Sequence, residues 1–221
     1  MNNNRLYSRR KLLQNSLTVA SALLLPVTTS NANTGSTPTP YQTPGPFYPK
    51  HIPLDSDNNL VDVKGRNISA TGQVTHIFGR LLDMTGRPIT NAQVEIWQCD
   101  ANGFYHHNSD RGGNADPNFQ GFGKMAVSND GSYRFRTIRP MHYPGRAPHI
   151  HFRVVGNGFE ALTTQMYVAG DPRNTGDFIL NSVRDPQARA SLVIPLEPAA
   201  EVEPNALAGL FNIVLGLNTV L

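Results

Sequence analysis

The sequence predicts an all-β fold, an antiparallel β-sandwich with long loops and an extended amino-terminal arm. Three observations carry that prediction. Short apolar runs alternate with polar residues and stop at turn dipeptides. Glycine and proline are frequent, 19 and 17 in 221 residues, as many tight turns require. The chain shows neither a heptad pattern nor an internal repeat. With 39% hydrophobic and 16% charged residues, it can bury one core.

Residues 1–33 stand apart from that domain. "SRRKLLQNSLTVASALLLPVTTSNAN" places Arg9 and Arg10 before an apolar run from Leu17 to Val27, followed by small and polar residues. The run is too short to span a bilayer, and the order is that of a bacterial export signal. Ser8-Arg9-Arg10-Lys11-Leu12-Leu13 resembles the twin-arginine type, which exports folded proteins and predicts a periplasmic or secreted product with no membrane segment after cleavage. Arg5, Arg9, Arg10 and Lys11 are the only charges in this stretch, so its removal takes the net charge from +3 to −1. A nucleic-acid partner thereby loses its electrostatic basis.

Residues 34–70 begin with "TGSTPTPYQTPGPFY", whose proline, threonine and glycine predict the extended arm. The main β-sandwich domain is expected over 71–221. "VTHIFGRLLD" and "AQVEIWQCD" read as strands, each ending at a turn. "FGKMAVSNDGSYRFRTI" reads as a hairpin around Asn129-Asp130-Gly131. "HIHFRVVGNGFEALTTQMYV" gives two more strands around Gly156-Asn157-Gly158. After residue 174 the pattern weakens to a short helix or turn in "DPQARASLV" and a final strand in "LAGLFNIVLGL". Cys99 is the single cysteine, which excludes an intramolecular disulfide and suits a small buried residue.

The chemistry concentrates in "YPGRAPHIHFRV", residues 143–154. Residues i and i+2 of a strand share a face, so His149, His151 and Arg153 point one way and Ile150, Phe152 and Val154 point into the core. A His-x-His pair is one way to present two imidazoles to a metal, although paired surface or satisfied core histidines fit the same pattern. Tyr143 lies just upstream, and Tyr105 follows the "CDANG" turn, from which it can reach the same point. Tyrosinate is a hard anionic donor, so two phenols with two imidazoles favour ferric iron over zinc or copper. Other readings are plainer. Tyr41, Tyr48, Tyr133 and Tyr167 read as packing or edge residues, and Trp97 as core. His76 reads as structural, and His106 and His107 as neighbours of the site or solvated. Glu95 and Asp100 are isolated carboxylates, which leaves a glycosidase pair unsupported. No Ser-His-Asp motif or phosphate loop stands out.

"GRLLDMTGRPITNAQVEIWQCDANGFYHH", "DPNFQGFG", "DGSYRFRTIRPMHYPGRAPHIHF" and "TTQMYVAGDP" together resemble the intradiol ring-cleavage dioxygenases, and within them the β subunit of protocatechuate 3,4-dioxygenase, over about residues 41–195. The resemblance implies one Fe(3+) per chain held by Tyr105, Tyr143, His149 and His151. It places Arg146 beside the bound substrate, Gln165 near it, and Gly45, Pro46 and Phe47 along the pocket. It implies a catecholic substrate and O2, opening of the ring between its hydroxylated carbons to a cis,cis-muconate-type product, and a homo-oligomer. In this family Tyr143 would be the axial ligand that leaves the metal, opposite His151. The chain departs from the members that cleave protocatechuate: their longer, tryptophan-bearing insertion between tyrosine and arginine is missing, since Tyr143 and Arg146 are three apart. Two other readings stand beside this one. A metal-free transthyretin-like binding module would not need the two tyrosines, and a cupin-like ferrous site would want a carboxylate beside the histidines.

Overall fold

The computed structural model describes residues 36–110 and 114–216, so the predicted export segment lies outside the described residues. The strands are β1 (Val74–Asp83), β2 (Ala92–Trp97), β3 (Phe122–Ala126), β4 (Ser132–Ile138), β5 (His149–Gly156) and β6 (Leu162–Val168). A 3-10 turn (Pro172–Thr175) and two short helices, α1 (Phe178–Asn181) and α2 (Pro186–Ala190), follow. The chain then forms β7 (Val193–Ile194), β8 (Glu197–Pro198), β9 (Leu207–Leu210) and β10 (Ile213–Leu215).

The protein is all-β in its main elements, in two five-stranded sheets. One runs β3-β2-β5-β6-β7; the other is built around β1, which pairs with β4, β9 and β10, and β8 joins β9. Both sheets are mixed, which corrects the purely antiparallel expectation. β9 and β10 run parallel to β1, and β7 runs parallel to β6. Parallel neighbours need a crossover, and the segment carrying α1 and α2 supplies one between β6 and β7. Strand direction leaves no trace in alternation, so the sequence could not report it. The expected last strand is two short ones, split at Phe211-Asn212.

The turn at Asn129-Asp130-Gly131 forms, with Gly131 at φ 75° and its amide donating to Ser128 O at 2.8 Å. It does not make a hairpin. β3 pairs with β2, whereas β4 pairs with β1, so the chain changes sheet there. The inner faces share one core in which Ile77, Phe135, Ile96, Phe152 and Phe211 are fully buried. Residues 36–70 hold no helix and only a single bridge, Asn59 to Arg136. They are stitched to the sheets by Thr39 N to Val214 O at 2.9 Å, Gln42 N to Thr163 O at 2.8 Å and Leu60 N to Arg136 O at 2.8 Å.

Gly79 shows how tightly the β1 sheet is closed. It faces Tyr133 across the β1–β4 pair, and the Tyr133 ring folds over it to donate its hydroxyl to Phe211 O. A Cβ at Gly79 would overlap both the ring and that carbonyl. Alanine normally stabilises a strand relative to glycine, but here overpacking costs about 1–3 kcal/mol. Gly79→Ala is therefore expected to lower the melting temperature by about 2–12 °C, since each kcal/mol shifts a domain of this size by about 2–4 °C. An unchanged or raised melting temperature would show that Tyr133 moves aside freely.

Candidate metal and catechol site

The site is set by register on one face of the β2-β5-β6 sheet. β5 pairs Trp97 with His151 on one side and His151 with Gln165 on the other, while His149 lies opposite Tyr167. Cross-strand partners project to the same face, so these five side chains form one patch. Ile150, Phe152 and Val154 point to the other face and are fully buried in the core, as the alternation predicts. Trp97 stacks on His151 with ring centroids 4.7 Å apart and planes 5° apart.

Two loops bring the tyrosines. Asp100 shapes the "CDANG" turn by accepting the amides of Asn102, Phe104 and Asp116, and it is buried in doing so. The turn carries Tyr105, buried, with its ring 6.3 Å from His151 and 5.7 Å from Tyr143. Tyr143 opens a tight turn closed by Arg146 N to Tyr143 O at 3.0 Å, with Gly145 in the left-handed conformation. Its half-buried ring lies 5.5 Å from His149.

Tyr105, Tyr143, His149 and His151 thus converge. The His149 and His151 Nε2 atoms are 3.2 Å apart. The Nδ1 of His149 lies 2.6 Å from Ala147 O, so it carries the proton and leaves Nε2 a bare lone pair. Burial, reinforced by the nearby Arg146 charge, pushes the His149 imidazole down to about 3. Burial and the neighbouring His149 hold His151 well below the usual histidine range. Both phenols are held above their ordinary value, chiefly by burial. Tyr105 Oη is buried and has no hydrogen-bond partner among the described residues. Two neutral imidazoles and a buried, orphaned phenol aimed at one point fit a cation. Among the described residues no three of His, Cys, Asp and Glu form a metal-binding cluster, and Tyr105 and Tyr143 supply side-chain oxygens that face the two histidines.

Around this set the strap 42–48 is pinned at both ends. Gln165 Nε2 donates to Thr43 O at 3.0 Å, and Tyr48 Oη donates to buried Glu95 at 2.9 Å, where Arg153 also binds at 3.2 Å. Between the pins, Phe47 stacks on Tyr105 at 4.5 Å and meets Tyr143 edge-on at 6.0 Å. A Cβ on Gly45 would stand 3.6 Å from His151 Cε1, whereas Pro46 is exposed. A cleft of about 320 Å³ bounded by Tyr143, Arg146, Arg173 and Asp177 opens beside the set.

Arg146 is buried and engaged at all three of its guanidinium nitrogens. Its Nε donates to Asp177 at 2.9 Å, Nη2 to Gln165 at 2.6 Å and to Tyr167 at 3.2 Å, and Nη1 to Tyr143 Oη at 3.3 Å. Tyr167, read as a packing residue, and Asp177, in the stretch that gave no pattern, are the residues that sequence reasoning missed. His106 is exposed and bonds Asp116 O, His107 contacts Phe47 edge-on, and His76 pairs with Glu203 at 3.0 Å away from the site.

A family model described as Dioxygenase matches residues 43–216, which places the chain among the dioxygenases. The chain is 39% identical over 172 residues to a protocatechuate 3,4-dioxygenase β chain of Burkholderia cepacia, covering 74% of this chain and 72% of that one. It is 30% identical over 153 residues to a catechol 1,2-dioxygenase of Candida albicans, covering 61% of this chain and about half, 48%, of that one. The dioxygenase domain of a dioxygenase–carbohydrate-binding protein fusion from Streptomyces sp. SirexAA-E superposes with a TM-score of 0.64 at 30% identity, over 82% of this chain and 99% of that one. The chain belongs to the intradiol dioxygenase family.

Trp97 is the only tryptophan, and its ring lies flat against His151. A redox-active metal on His151 is therefore expected to quench most of the protein's tryptophan emission. The check is a fluorescence titration of metal-free protein with ferrous iron in air; undiminished emission at one bound metal per chain would move the metal away from His151.

Proposed function

We propose that the chain is a non-haem intradiol dioxygenase with one Fe(III), held by Tyr105, Tyr143, His149 and His151, acting on a catechol and O2. The observation that carries this reading is the convergence of two phenols and two neutral imidazoles, with no carboxylate among the described residues completing a metal cluster beside the histidines. Family membership favours it over the metal-free binding module. The chemistry the metal supplies when bound is Lewis-acid activation of a chelated catechol toward dioxygen, which opens the ring between the hydroxylated carbons to a muconate-type diacid.

The residues then divide the work. His149, fixed by Ala147 O, and His151, fixed by Trp97, hold the metal without needing to move. Tyr143 is the more open of the two phenols, and as the phenolate that a bound cation would make of it, its Oη is the atom placed to accept a proton from the incoming substrate. Arg146 Nη1 lies against that oxygen, so it would stabilise the phenolate before it takes the proton and the negative charge that then develops on the substrate ring beside it. Gln165 holds the guanidinium and ties it to the strap. The amino-terminal segment would deliver the protein to the periplasm; retention of an Arg9→Lys, Arg10→Lys precursor in the cytoplasm is the outcome that supports this.

Tyr143→Phe is expected to keep its iron and lose turnover by about a hundredfold, in the range of a lost general base. His149→Ala is expected to lose iron. Oxygen uptake on a panel of catechols, with iron content measured in parallel, checks both. Full activity in Tyr143→Phe would contradict the assignment.

A further inference from the structure

We propose that Asp177 is the positioning residue that aims Arg146 at Tyr143. The inference rests on the dioxygenase reading for its kinetic consequence but on geometry for its mechanical claim. Arg146 comes from a turn, and its long side chain has no direction of its own until its donors are taken. Nε is taken by Asp177, and Nη2 by Gln165 and Tyr167, which leaves Nη1 facing Tyr143 Oη. Of these partners only Asp177 is an ordinary anion.

Asp177 is itself held at both carboxylate oxygens. Oδ1 accepts Ile179 N and Leu180 N, both at 3.0 Å, at the start of α1. Oδ2 accepts Ala147 N at 2.8 Å as well as Arg146 Nε. One oxygen thus grips both the arginine side chain and the peptide that follows it, while the other is anchored to a different segment. The carboxylate side chain is wholly buried. Capping α1 needs only an acceptor oxygen, which asparagine or serine provides without the cost of burying a charge. The charge is explained by the guanidinium that it orients.

The buried carboxylate stays ionised: burial opposes this, but the Leu180 and Ala147 amides and Arg146 outweigh it and lower its pKa. Asp177→Asn removes the grip with little change in volume. If its amide oxygen keeps the cap, its NH2 faces Arg146 Nε donor to donor; if the amide flips, α1 loses its cap instead.

The test is a double-mutant cycle on the full chain with Asp177→Asn, Arg146→Met and both together. At matched iron content, Asp177→Asn should lower kcat about tenfold with KM changed less than twofold. In the Arg146→Met background the same change should cost less than twofold. Equal losses in both backgrounds, or no loss beside Arg146, would overturn the inference. A crystal structure of Asp177→Asn reads the geometry independently of turnover: Nη1 should leave Tyr143 Oη, and an unmoved guanidinium would overturn the inference. If wild type cleaves no catechol, the dioxygenase reading fails and that structure alone decides. If Asp177→Asn does not fold, Asp177→Ser, which keeps a capping oxygen, is put through the same cycle.

Discussion

Everything in the site depends on the register between β2, β5 and β6. Because strand side chains alternate, a slip of one residue in β5 would turn His149 and His151 into the core and Ile150 and Phe152 into the cleft. Fully buried aliphatic and aromatic residues on the inner face make such a slip prohibitive. The cost of moving Phe152 out of the core is what holds His151 against Trp97 and opposite Gln165. Packing on one face of the sheet therefore fixes chemistry on the other.

Burial then sets the electrostatics. Imidazoles that resist protonation and phenols that resist ionising leave the four donors neutral near neutral pH until a cation arrives. Arg146, a lasting positive charge beside them, is balanced by Asp177 on its far side, so its Nη1 can serve Tyr143 without being left alone in the interior. The strap adds the roof: Phe47 covers Tyr105, and its hold depends on Tyr48 reaching Glu95.

The local pattern was legible wherever one strand decided it. The alternation in "HIHFRVV" gave the two faces of β5 because burial has a period of two. The donor set was legible because His-x-His and the two tyrosines are unusual together. Direction and partnership of strands were not, since they are settled by where the chain returns; β9 beside β1 and the sheet change between β3 and β4 are products of the whole core. Asp177 and Tyr167 were hidden for a similar reason. An aspartate before a short helix looks like any cap, and a tyrosine in a strand looks like packing. Only the fold brings both to the same guanidinium.

The central claim is that two tyrosines of this chain carry the metal. Resonance Raman spectroscopy of the iron-loaded protein, excited in its visible band, reads this directly through tyrosinate ring vibrations. The account predicts these bands in the wild type, altered in Tyr105→Phe and altered differently in Tyr143→Phe. An iron-loaded protein without visible colour, or bands indifferent to both substitutions, would contradict it.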